Sequence, residues 1–222
     1  MISSDCAAGF IMRTSLFFGL LLFLTETCLA QKPHPCRSPP LLSGSLSVSA
    51  RDGQDWAFAK YRYDAFGQRI RLWEFGQHDS KSFHLNMLFL FREGVVYTID
   101  HKNKTCQKNP LHATFHPTEI PRNASLLAQV VMGSSSAPGE GLLVNTWTGV
   151  VPETQGKYLA TVTEFGCIPV STLYHSAETG WVVTTYFDAV KGIEDPDQFI
   201  PPSFCTDTQT EDKTLDFFSG FL

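Results

Sequence analysis

Residues 83–100 read FHLNMLFLFREGVVYTID. Phe83, Leu85, Met87, Phe89 and Phe91 take every second position, and a period of two puts them on one face of a β-strand. Arg92-Glu93-Gly94 supplies turn chemistry, and VVYTID at 95–100 returns as a β-branched partner, so the stretch is an antiparallel hairpin. The same pattern extends outward on both sides. DWAFAKYRY (55–63) alternates loosely, DAFGQ (64–68) turns, and RIRLWEF (69–75) completes a second hairpin. Further strands are expected at 142–151, 158–164, 168–174 and 181–188, with GSSSAPGEG (133–141) as a loop. A short helix is expected from Ala189, limited by Pro196. The absence of amphipathic helices between the strands argues against βαβ units and for a mainly antiparallel β protein, with no internal repeat.

The N-terminus sets the compartment. LFFGLLLFL (16–24) is too short to span a bilayer, follows Arg13, and precedes Cys28-Leu29-Ala30, a signal-peptidase-like site. Residues 1–30 therefore read as a secretory signal peptide, with Gln31 as the first mature residue and Met12 as an alternative start. No other stretch reaches membrane-spanning length, so the mature chain is expected to be exported without a transmembrane segment. About 190 residues then remain, enough for one domain with its own core, here 31–205 with a tail at 206–222. The formal charge of −5 with scattered Lys and Arg offers no basic stripe, which excludes nucleic acid as a partner.

Four mature cysteines, Cys36, Cys106, Cys167 and Cys205, read as two disulfides in an exported chain. Their wide spacing lacks any Cys-x-x-Cys pair and does not suit zinc. Asn103-Lys104-Thr105 and Asn123-Ala124-Ser125 are glycosylation sequons in surface positions.

Catalytic chemistry is sparse. GSSSA (133–137) lacks the second glycine of a nucleophile elbow, and His112 and His116 are bracketed by Pro110 and Pro117. No nucleophile–base pair emerges, which argues against an enzyme and against a required cofactor. Asp188, Glu194, Asp195 and Asp197 are oxygen ligands that could gather around calcium, although the EF-hand pattern is missing. The aromatic face of 83–91 reads either as ordinary core or as the wall of an apolar ligand cavity, since both alternate identically. Trp73, Trp147, Trp181 and Phe187 are further wall candidates.

Four stretches carry a family resemblance: YDAFGQRIRLWE (63–74), FREGVVYTIDHKNKTCQK (91–108), GCIPV (166–170) and TYFDAVKGIEDPDQFIPPSFC (185–205). Together they resemble the ependymin family, including the mammalian ependymin-related proteins. The resemblance implies a sandwich of two curved antiparallel sheets, similar to bacterial lipoprotein carriers, with an apolar pocket between them. It implies a secreted or lysosomal glycoprotein, often dimeric, that binds a hydrophobic or lipid-like molecule. Calcium binding and cell–matrix adhesion are the alternative it carries. By position it implies Cys36–Cys167 and Cys106–Cys205 pairs. A further cysteine pair of the ependymin-related members is missing: Ser80 stands near one place, and TDTQTEDKTLDFFSGFL (206–222) holds no cysteine for the other. In GIEDPDQFIPPSFC (192–205), Pro201-Pro202 stiffens an extended approach to Cys205, so the segment is expected to close the domain.

Overall fold

The computed structural model describes residues 32–152, 154–177 and 180–205. The expected signal peptide at 1–30 and tail at 206–222 lie outside the described residues. Within them the alternating stretches form strands β1 (Leu41–Ala50), β2 (Asp55–Asp64), β3 (Arg69–His78), β4 (Lys81–Leu90), β5 (Val95–Asp100) and β6 (Thr105–Pro110). A second run follows: β7 (Ser125–Gly133), β8 (Gly141–Val151), β9 (Gly156–Thr163), β10 (Pro169–Ser176) and β11 (Gly180–Lys191). The antiparallel β architecture is the one the chain adopts. Its strands join in one continuous, unclosed sheet of 11 strands, in the order β6-β5-β4-β3-β2-β1-β11-β10-β9-β8-β7. Two meanders are thus sewn together by the antiparallel pairing of β1 with β11, in which Leu46 faces Tyr186 and Val48 faces Thr184.

Three strands escape the sequence reading. β1 hides its period because serines fill the outer positions of LLSGSLSVSA, while Leu42, Leu46, Val48 and Ala50 turn inward and are buried. β6 and β7 lie at the sheet's two edges, where side chains are less consistently buried. The helix expected from Ala189 is replaced by the end of β11 and a 3-10 turn at Pro196–Phe199. Asp195 caps that turn by accepting the Asp197 N–H at 3.1 Å, and Pro196 starts it. Pro201 and Pro202 then stop any continuation.

One face of the sheet is enclosed. Leu42, Leu46, Val48, Ala57, Ala59, Tyr61, Leu72, Met87, Phe89 and Val96 share a buried cluster on it. Met87 and Phe89 are 1% and 0% exposed, and fully burying such a side chain contributes roughly 1.5–3 kcal/mol. The connection from β6 to β7 joins the two edges and lies across this face. Leu111, Ala113 and Phe115 pack on the first cluster, and Ile120 packs with Trp147, Val162 and Cys167 on a second. The N-terminal segment holds the connection in place through the Ile120 N–H to the Cys36 carbonyl, 2.8 Å, and the Ser38 N–H to the Thr118 carbonyl, 3.0 Å.

β1 and β11 carry a bulge between Ser43 and Ser45. Asp188 sits at φ 50°, a left-handed conformation that Asp tolerates better than branched residues. Gly44 faces the bulge, where a methyl group would fall 2.8 Å from the Phe187 carbonyl oxygen.

Candidate ligand-binding face

Cross-strand register assembles the enclosed face row by row. One row runs Tyr186–Leu46–Ala59–Glu74–Leu85, and the next runs Gly44–Tyr61–Leu72–Met87. A third is Leu42–Tyr63–Ile70–Phe89–Val96. Small residues on β1, β2 and β3 (Gly44, Ala57, Ala59, Gly76) alternate with bulky ones on β4. At Gly76 a Cβ would lie 2.7 Å from the Ala57 Cα, so the backbones of β2 and β3 leave no room there.

Phe83, Leu85, Met87, Phe89 and Phe91 all reach this face. Phe89 and Phe91 stack with centroids 6.3 Å apart, and Phe91 meets Phe115 edge-on at 5.3 Å. Trp147 joins the second buried cluster, beside the Cys36–Cys167 disulfide. Trp73, Trp181 and Phe187 do not share the wall expected of them. Each is offset by one residue from an inward neighbour (Leu72, Val182, Tyr186), and a one-residue offset along a strand points to the opposite face. There Phe187 stacks on Phe58 at 6.1 Å, Phe58 meets Phe75 at 5.7 Å, and Trp181 lies 4.7 Å from His175.

Polar groups inside the enclosed face went unread in the sequence. Tyr61 and Tyr186 meet edge-on at 6.0 Å. Desolvation, with a smaller push from a neighbouring tyrosine, raises both phenols to about 12. The Tyr61 hydroxyl and the Trp147 indole N–H are buried without a hydrogen-bond partner among the described residues. Such atoms cost free energy unless something else satisfies them. Glu74, 1% exposed, places a carboxyl on the same face between Ala59 and Leu85. The period of two in RIRLWEF carried the signal, because Glu74 has the parity of Leu72.

The four acids offered for calcium do not come together. Asp188 occupies the bulge, Asp195 is spent on its cap and on Gln198 at 3.3 Å, and Glu194 and Asp197 are exposed. Among the described residues one other group does converge: Asp55, His78 and Asp79. His78 lies 3.3 Å from Asp55 and 3.5 Å from Asp79. Arg51 bridges both carboxylates at 3.2 and 2.7 Å. That guanidinium already occupies an oxygen of each carboxylate and offsets one of their two charges, and imidazole is a poor ligand for a hard cation, so the group does not fit calcium.

Cys36 is joined to Cys167 and Cys106 to Cys205, the pairs the resemblance implies. Both sequon asparagines are exposed. Asn103 lies in the β5–β6 turn, where the Asp100 carboxylate accepts its backbone N–H at 3.0 Å and its side-chain N–H at 2.8 Å. Those bonds, with help from Lys102, hold the Asp100 carboxyl below its ordinary range. Asn123 precedes β7. His112 and His116 are exposed, and His116 pairs with Thr114 at 2.9 Å.

Comparison with known proteins places this geometry. The Ependymin family model matches residues 79–205. Ependymin-2 of Carassius auratus is 35% identical over 190 residues, covering 85% of this chain and 88% of that protein. Ependymin of Esox lucius is 38% identical over 211 residues, 91% and 95% of the two chains. The crystal structure of an uncharacterized conserved protein from Thermus thermophilus superposes with a TM-score of 0.51 at 7% identity. It covers 79% of this chain and 91% of that one, a likeness of fold alone. With a family model matched over more than half of its length and relatives aligned along most of it, the chain belongs to the ependymin family.

Proposed function

We propose that this protein is a secreted, non-catalytic carrier of a hydrophobic, lipid-like molecule, held on the enclosed face of the sheet. The buried Tyr61 hydroxyl, without a partner among the described residues, carries the reading: an apolar face with an orphan donor suits an amphiphile whose polar end accepts a hydrogen bond. Phe83, Leu85 and Phe91 are only partly buried and are the wall residues a chain of methylenes would cover. Each methylene buried contributes about 0.8 kcal/mol, so affinity scales with chain length more than with headgroup. The two disulfides support export, since such bonds persist in oxidising compartments.

Native mass spectrometry of protein secreted from eukaryotic cells, followed by solvent extraction, tests the carrier. A co-purified single- or double-chain lipid near one equivalent is expected. Leu85→Arg should fold and lose that ligand, and Tyr61→Phe should weaken it about tenfold by removing one donor. A clean apo mass that stays unshifted on adding lipids would make the face an ordinary core.

A further inference from the structure

Among the described residues, the outer face of the sheet holds three cations without a counter-charge. Register sets Arg62 of β2 directly opposite Arg71 of β3, and Lys60 opposite Trp73. Like charges opposed across an antiparallel pair repel, so the fold bears a cost here. Both guanidinium carbons lie over one indole, 5.7 Å (Arg62) and 5.2 Å (Arg71) from the Trp73 ring centre. Cation–π attraction offsets part of the repulsion but supplies no negative charge.

Arg71 makes the deficit acute because it is only 4% exposed. Its Nε donates to the Asn86 side-chain oxygen at 2.8 Å and its Nη1 to the Gln198 carbonyl at 3.2 Å, both neutral acceptors. Among the described residues, Arg62 donates only to the carbonyl of Tyr61, at 3.1 Å. Among the described residues, no carboxylate lies within 4.0 Å of Lys60, Arg62 or Arg71. The outward positions of β1 beside them are serines: Ser43 faces Arg62 and Ser45 faces Lys60. Desolvation lowers the Arg71 guanidinium to about 10, the direction expected of a buried cation lacking an anion, and it remains charged at neutral pH. Buried charges in proteins are ordinarily paired.

We propose that Arg62, Arg71 and Lys60, gathered around Trp73, form a binding site for a phosphate or sulfate oxyanion. Its oxygens would accept forked N–H bonds from Arg62 and a further bond from Lys60, and would relieve the Arg62–Arg71 repulsion, with the buried Arg71 adding its charge from beneath. The Ser43 hydroxyl already donates to the Gly192 carbonyl at 3.2 Å. The site lies on the face opposite the carrier face, so the two proposals stand or fall separately.

Thermal denaturation and titration calorimetry of the mature glycoprotein with inorganic phosphate, against chloride at matched ionic strength, test the site. Phosphate is expected to bind saturably and to raise Tm beyond chloride. Arg62→Gln should weaken phosphate at least about tenfold and, in chloride, leave Tm equal to or above wild type because the repulsion is gone. Lys60→Gln, on an exposed side chain, should weaken phosphate with Tm in chloride unchanged. Glycerol phosphate in solution and phosphatidic acid vesicles, with phosphatidylcholine vesicles as blank, then separate the sources of the oxyanion. Binding sensitive to Arg62→Gln in solution assigns a free ester, and the same sensitivity on vesicles alone assigns a lipid headgroup. A phosphate effect no larger than that of chloride, or one equal in wild type and both variants, overturns the site.

Discussion

Tyr61 and Tyr186 show how position, rather than residue type, gives a side chain its chemistry. A phenol in the unfolded chain ionises near 10, whereas these two are held up to about 12 by desolvation and by a neighbouring tyrosine. Between about pH 10 and 12 the unfolded state sheds protons that the folded state keeps, so stability falls as pH rises through that window. The contribution is complete below pH 10 and lost above 12. Urea denaturation at stepped alkaline pH, read beside tyrosinate absorbance, should show this decline, and a Tyr61→Phe/Tyr186→Phe variant should show a shallower one. Identical profiles for the two proteins would remove these phenols from the account. Glu74 and Trp73 make the same point from adjacent positions. One turns its carboxyl onto the enclosed face, and the next lends its indole to two arginines outside. Their parity was legible in RIRLWEF, yet Trp73 reads as a cavity wall when hydrophobicity is weighed without it.

At the scale of elements, the C-terminal segment acts as a strap. Phe199 and Cys205 are buried with Leu88, Leu90, Tyr97 and Ile99 on the outer face of β4 and β5. Gln198 caps Arg71, and the Arg69 guanidinium lies 4.6 Å over the Phe199 ring. The Cys106–Cys205 bond closes a loop with sequence separation 99. Opening such a loop costs about 2–5 kcal/mol. A Cys106→Ala/Cys205→Ala variant should therefore unfold at lower urea and become cleavable after Lys191 in limited proteolysis. A midpoint and cleavage pattern matching wild type would mean that packing alone holds the strap. The stiff Pro201-Pro202 approach and terminal cysteine announce this closing role in sequence. What the strap covers was hidden, because Arg71 lies far away along the chain.

Across the whole molecule the sheet is open and its two edges are unequal. β6 has six residues, includes Lys108 and Pro110, and is tethered at Cys106, all features that discourage further pairing. β7 has nine residues with no charge and no proline, and Leu127, Val130, Val131 and Met132 are exposed. Such an edge is prone to pair with another chain. Val130→Lys should slow concentration-dependent light scattering on storage and leave the unfolding free energy within about 0.5 kcal/mol of wild type. Unchanged scattering would place self-association elsewhere. The amino-acid sequence by itself determined the strand period, the turns between hairpins and a cysteine set suited to two bridges. These depend on neighbours within a few residues, where alternation and turn chemistry act directly. Tertiary structure decided which side of each strand is enclosed, that β1 and β11 join two meanders into one sheet, and that Arg62 meets Arg71. Those follow from register between distant segments and from the connection laid across one face, and a period of two leaves both sides of a strand equivalent until such contacts distinguish them.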